Sequence, residues 1–252
     1  MPVLPGAEPY EHRGGSTGVL LCHGFTGCPQ SLRPWAEYLA AAGLTVSLPR
    51  LPGHGTTWQD LARTRWEDWY AEVERAYGEL RARTEVIFLA GLSMGACLAL
   101  RLAELRSEDV RGLVLVNPSL TADSKLFWLS PIMKLLVPTI RSIGSDIKKP
   151  GVSELAYERT PVKAAATLPG LWQVTTRNLS QVAAPVLVYR STVDHVVGPA
   201  SLEVLRRALP PEQLGIRECR DSYHVATLDN DAETIFAGSL DFVRSHSDAG
   251  KE

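Results

Sequence analysis

Apolar residues along this chain fall into two alternating patterns. Residues 18–22, 44–48, 86–90, 113–116, 186–189 and 216–219 are short runs rich in Val, Leu and Ile. Their length and composition predict strands, most of them buried on both faces. Longer segments with apolar positions three and four apart lie between them: 34–42 (Trp35, Tyr38, Leu39, Ala42, then Gly43), 66–83 (Trp66, Trp69, Tyr70, Val73, Tyr77, Leu80), 94–105 and 232–245. These predict helices carrying an apolar stripe. Strand and helix in alternation predict an α/β domain: a mostly parallel sheet with helices on both faces. The rhythm lapses from Asn117 to about Asn178. A compact domain rarely holds so long a plain loop, so the segment is expected to carry its own helices. The expected organisation is a core of 1–116 and 180–252, with 117–179 inserted as a cap over the carboxyl ends of the strands, where open α/β sheets place ligands.

Composition narrows the function classes. The 252 residues carry a net charge of -2 and are 45% hydrophobic and 21% charged. Lys and Arg are scattered, which argues against a nucleic-acid partner. Residues 1–15 hold three prolines and no apolar run, so no secretory leader is expected. The apolar stretch 126–140 is broken by Ser130, Pro131, Lys134 and Pro138 and falls short of a bilayer span. Cys22, Cys28, Cys97 and Cys219 form no C-x-x-C pair and read as small buried hydrophobes. The cytoplasm is the default location.

The sharpest chemical signal is Gly91-Leu92-Ser93-Met94-Gly95, between a predicted strand and a predicted helix. A turn that aims a serine outward from the end of a strand strains the backbone, and glycines two residues to either side remove the side chains that would clash. The helix N-terminus behind Ser93 favours developing negative charge. A serine that merely caps a helix needs neither glycine. Attack on an acyl carbon also needs donors for the oxyanion, and two backbone amides are candidates: Met94, and Phe25 in the glycine-containing loop His23-Gly24-Phe25-Thr26-Gly27. The same loop could also serve only as a turn.

Six histidines compete for the role of base. In this strand–turn–helix context the chain order runs Ser, acid, His, with the His after the last strand, which selects His224. His54 precedes the nucleophile and is expected to bond within its own turn; His23 is expected to hold the oxyanion loop. His195 rivals His224 by position but adjoins the preferred acid, Asp194, which follows strand 186–189. Asp221 and Asp229 flank His224 and read as loop caps or solvated side chains; Glu218 lies within a strand and is the weaker choice.

Together these segments, with Asp194-His195-Val196-Val197 and Ser222-Tyr223-His224-Val225-Ala226-Thr227-Leu228-Asp229, resemble the bacterial monoacylglycerol lipases and closely related carboxylesterases of the α/β-hydrolase fold. The likeness runs from about Gly18 to the final helix and includes residues 142–150 and 154–158; Thr121 to Thr139 match least. The resemblance implies a serine esterase that cleaves monoacylglycerols, with a small cap and no cofactor. Under it, Ile143 and other apolar cap residues are expected to hold the acyl chain and Glu154 to accept hydrogen bonds from glycerol hydroxyls, although a solvated glutamate fits the sequence equally. The apolar cap residues 126–129 and 132–137 suit an acyl tunnel, contact with a lipid surface, a homodimer interface or plain packing onto the sheet. A carboxylesterase for simple esters and a non-catalytic ligand-binding α/β-hydrolase are the competing expectations.

Overall fold

The computed structural model describes residues 2–122, 137–142 and 145–247. Seven strands make the main sheet: β1 (Tyr10–His12), β2 (Thr17–Cys22), β3 (Thr45–Leu48), β4 (Val86–Leu92), β5 (Val110–Val116), β8 (Val186–Ser191) and β9 (Leu214–Cys219). Their spatial order is β1-β3-β2-β4-β5-β8-β9. β1 runs antiparallel to β3, and every other pairing is parallel. A separate two-stranded antiparallel sheet, β6 (Thr139–Arg141) with β7 (Arg159–Pro161), lies between β5 and β8 in the chain, within the segment expected to be a cap.

Successive strand residues point to opposite faces, and both faces are buried. Leu20, Ile87, Leu89, Leu113, Leu115, Val186 and Val188 face α3 (Trp66–Arg81), α4 (Met94–Leu105) and α7 (Ala200–Ala208) through Trp69, Val73, Leu98, Leu102, Leu202 and Leu205. The alternate residues Val19, Leu21, Phe88, Ala90, Val114, Val116, Leu187 and Tyr189 pack with Trp35 and Leu39 of α1 (Arg33–Ala41) and with Ile235, Phe236 and Val243 of α8 (Ala232–Ser247). Near-continuous apolar strands are therefore a consequence of helices on both sides. The remaining helices are α2 (Trp58–Leu61), α5 (Val162–Ala165) and α6 (Leu168–Thr176). Leu168, Leu171 and Trp172 of α6 are buried in the same cluster as α3 and α4, so the later part of the segment 117–179, expected as a cap, packs as core.

Five elements escaped the sequence reading: β1, α2, α7 and the paired strands β6 and β7 of a segment expected to carry helices. β1 has three residues and gains its place only by pairing with β3, which no local pattern records. β4 and β5 also extend beyond their predicted ends. Gly91 pairs with both Cys22 and Leu115, and Leu92 with Val116, which carries the ladder up to Ser93. Among the described residues no helix is long and apolar enough to cross a membrane.

Candidate active site

Ser93 follows directly on β4 and precedes α4, with φ 56° and ψ −119°. No L side chain is comfortable there; the turn is held by its surroundings. Ser93 N–H donates to Val116 O at 3.0 Å, and Ser93 O accepts from Ser119 N–H at 3.1 Å and Ala96 N–H at 3.1 Å. A Cβ on Gly91 would lie 2.6 Å from Ala96 N, and one on Gly95 would collide with the Cys22 carbonyl. The start of α4 thus rests directly on the end of β2. That close approach brings the next loop over the serine: a Cβ on Gly24 would sit 3.5 Å from Ser93 Cβ.

His23 secures that loop from below. It is fully buried, its Nδ1 donates to Gly24 O at 3.0 Å and its Nε2 accepts Leu51 N–H at 3.1 Å. Burial drives its pKa down to about 4, the Gly24 bond opposing, so the neutral imidazole serves as a two-ended brace. His54 is likewise buried, with Nδ1 3.1 Å from Pro52 O and its ring edge against His23 and Trp69. Phe25 and Met94 both border the cavity described below, and neither backbone amide has an acceptor among the described residues. Thr26, at φ 66°, takes the loop away from the serine, and its carbonyl accepts Tyr157 N–H at 3.2 Å.

Asp194 and His224, the expected acid and base, lie on the loops after β8 and β9. His224 Nδ1 lies 3.0 Å from Asp194 Oδ2, and the Asp194 side chain is wholly buried. Asp194 Oδ1 accepts Val196 and Val197 N–H at 2.9 and 2.8 Å, and Oδ2 also receives Arg190 Nη1 at 2.8 Å. Burial pushes the Asp194 carboxyl up, but the His224 bond and charge and the Val197 and Val196 amides outweigh it, and its pKa falls below the usual value. Asp194 lies where its carboxylate accepts a hydrogen bond from His224 Nδ1–H, the contact that fixes an imidazole's tautomer and orientation.

One cavity of about 280 Å³ gathers these groups: Ser93, Met94, Phe25 and His224 border it, with Glu154, Leu168 and Trp172. Glu154 comes in from the insertion, its Oε1 beside Gly27 Cα and its N–H on Ser145 Oγ at 2.9 Å. Burial raises its carboxyl to about 7, against the pull of His224 and a hydrogen bond with Ser31. Of the residues expected to hold the acyl chain, 126–129, 132–136 and Ile143 lie outside the described residues. Among the described residues no group of three or more His, Cys, Asp or Glu is arranged to hold a metal ion.

Comparison with known proteins places this geometry. A family model described as "Serine aminopeptidase, S33" matches residues 16–231. The chain belongs to that family. It is 44% identical to a thermostable monoacylglycerol lipase of Bacillus sp. (strain H-257) over 98% of both chains. It is 24% identical to a carboxylesterase of Bacillus subtilis (strain 168) over 94% of this chain and 96% of that one. A solved structure from work on two metagenome-derived lipolytic enzymes superposes with a TM-score of 0.94 at 42% identity, covering 97% of this chain and all of that one. The monoacylglycerol lipase of Paleococcus ferrophilus shares the fold, with a TM-score of 0.77 at 22% identity over 95% of this chain and 99% of that one.

Within this family member, several polar residues at the site were not singled out from the sequence. Arg190 joins Asp194 to Val197 O, at 2.5 Å, and to Asn117 Oδ1, at 3.4 Å. Asn117, fully buried at φ 43° just after β5, donates to His224 O at 2.8 Å and Ser191 Oγ at 2.9 Å. It occupies on β5 the place that Ser93 occupies on β4, a polar residue at the carboxyl end of a buried strand, and that was the available signal. Asp229, read as a loop cap or a solvated side chain, is a buried cap. It accepts four backbone N–H groups: Lys148 and Tyr223 on Oδ2, Lys149 and Asn230 on Oδ1. Asp221 instead pairs with Lys148 at an exposed position.

Proposed function

We propose that this chain is a serine esterase of the monoacylglycerol lipase kind, with Ser93 as nucleophile, His224 as base, Asp194 as the acid that orients it, and Phe25 and Met94 N–H as the oxyanion hole. The observation that carries this reading is the strained Ser93 at a cavity that also exposes His224, itself locked to a buried Asp194. His224 Nε2 takes the Ser93 proton as Oγ attacks the ester carbonyl, and the two amides receive the oxyanion. The proton passes to the departing alcohol. Water then repeats the sequence on the acyl-enzyme and releases the fatty acid. The 44% identity to a monoacylglycerol lipase, head to tail, supports the choice of substrate.

The insertion 117–179 is read as the cap. Its β6–β7 hairpin supplies Ile140, Arg141 and Thr160 to the cavity wall, and Leu168 and Trp172 supply apolar surface nearer the core. Glu154 takes the alcohol side. A carboxyl near half-protonation at neutral pH both donates to and accepts from hydroxyls, and a site that pairs substrate hydroxyls rejects analogues lacking them. Exposed Val137 and Ile140 on the cap, with Val193 and Val196 on the acid loop, suit transient contact with a lipid surface; a homodimer through the same face belongs to this reading only as the alternative use of it. Four unpaired cysteines fit a cytoplasmic setting.

The test is hydrolysis of 1-lauroylglycerol against p-nitrophenyl butyrate, dilaurin and trilaurin, with Ser93→Ala as the blank. Ser93→Ala should lose on the order of 10⁶ in kcat. Glu154→Ala should weaken turnover of the monoacylglycerol far more than that of the butyrate. Preference for butyrate would make this a general carboxylesterase, and no Ser93-dependent turnover would leave a ligand-binding protein on the same scaffold.

A further inference from the structure

Asp146 belongs to the insertion, yet it touches both loops that carry the proposed acid and base. Its Oδ2 accepts His224 N–H at 3.1 Å and His195 N–H at 3.2 Å. Its Oδ1 lies 2.8 Å from His195 Nδ1, and its own carbonyl accepts Val225 N–H at 3.0 Å. The carboxylate side chain is 10% exposed. His195 in turn packs edge-on against Tyr223, with ring centres 4.8 Å apart. One side chain therefore bridges the residue after Asp194 and His224 itself.

Position is what this bridge supplies. Asp194 and His224 sit on separate loops, three residues beyond the end of β8 and five beyond the end of β9. Strand pairing ends at Ser191 and Cys219; past it, Thr192 N–H donates to Cys219 O at 3.0 Å and Ser191 Oγ to Tyr223 O at 2.8 Å. The carbonyl of His224 is held by Asn117, from the core. The amide of His224 is held by Asp146, from the insertion. Asp229 also staples the insertion to the base loop, but it reaches only Tyr223 and Asn230 there and does not touch the acid loop. Without Asp146, two main-chain N–H groups lose their shared acceptor, and the two loops are left joined by the His224–Asp194 bond itself, by Ser191 Oγ on Tyr223 O and by the His195–Tyr223 ring contact.

We propose that Asp146 is a positioning residue of the reaction, which sets the spacing of the acid and base loops and makes it depend on the seating of the inserted segment. This rests on the Ser93–His224–Asp194 reading. Asparagine can reproduce the bridge: its oxygen accepts both main-chain N–H groups and its amide nitrogen faces His195 Nδ1. Alanine removes it, and glutamate pushes the loops apart by one methylene.

The experiment titrates active sites of Asp146→Ala, Asp146→Asn and Asp146→Glu with a fluorophosphonate, then measures kcat per titrated site and KM on p-nitrophenyl butyrate and 1-lauroylglycerol. Misplacement by about 1 Å costs up to ~10²-fold, so Asp146→Ala should titrate fully but lose roughly 10- to 100-fold in kcat per site on both substrates, with KM changed by no more than about threefold. Asp146→Asn should recover to within about fivefold of the parent and Asp146→Glu should lose roughly tenfold, by the same displacement argument. The proposal is overturned if Ala and Glu both keep kcat within about twofold. It is equally overturned if the loss appears only as KM, or only as fewer titratable sites at an unchanged rate per site, the sign of a merely structural residue. Should Asp146→Ala not fold, Asp146→Glu and Asp146→Asn decide. Turnover by Ser93→Ala would instead fail the catalytic reading beneath the proposal, a separate and recognisable result.

Discussion

Ser93 stores backbone strain, and its removal should stabilise the fold while abolishing activity. At φ 56° and ψ −119° the Cβ crowds the flanking backbone, and residues held in such regions cost about 1–3 kcal/mol each. Glycine relieves that cost but loses about 0.5–1 kcal/mol relative to alanine through the larger entropy of its unfolded state. The fair comparison is Ser93→Gly with Ser93→Ala: both lack the hydroxyl, and only alanine keeps the Cβ. Little packing is lost with that carbon, since its neighbour across the cavity floor is Gly24. The difference comes to about 0–2.5 kcal/mol in favour of glycine, about 1.3 kcal/mol at the middle of both ranges. For a chain of this size each kcal/mol shifts Tm by roughly 2–4 °C, so Ser93→Gly should melt roughly 3–5 °C above Ser93→Ala. Calorimetry reads the difference, and urea midpoints check it. A Ser93→Gly variant melting at or below Ser93→Ala would show that the turn stores no strain and that the flanking glycines have another purpose.

Two further outcomes follow from named contacts. Asp229→Ala orphans four part-buried backbone N–H groups and should destabilise by about 2–4 kcal/mol, read from the urea midpoint at constant m, because each unsatisfied group costs about 1–3 kcal/mol and some will find water; a loss under about 0.5 kcal/mol would refute the stapling role. His23 has a folded pKa of about 4 against an ordinary 6.5, so the unfolded chain takes up the proton first: the stability it contributes is complete above pH 6.5 and is lost as pH falls toward 4. A neutral replacement, His23→Gln, should therefore flatten that part of the stability–pH curve, and a slope equal to the parent's would place the acid sensitivity elsewhere.

The sequence by itself determined the sheet, its two helical layers and the three side chains of the proposed triad. Buried parallel strands must be apolar on both faces, so residues 18–22, 86–90 and 186–189 announced themselves. The Gly91-to-Gly95 spacing is readable because a strained turn excludes Cβ atoms at fixed positions, and Asp194 and His224 followed from their place after the last strands. Everything that depends on contacts between distant segments was closed to that reading. β1 exists only through β3. Arg190 and Asp146 look like ordinary polar residues until the fold sets them against His224 and Asp194, and Asn117, marked in the sequence only by its place at the end of a buried strand, gains its partners the same way. The shift of the Glu154 carboxyl to about 7 comes from desolvation by the cavity walls, which no local pattern contains. Local sequence records what a backbone segment must be to pack on its neighbours; which loop meets which, and how dry their meeting place is, only the assembled tertiary structure decides.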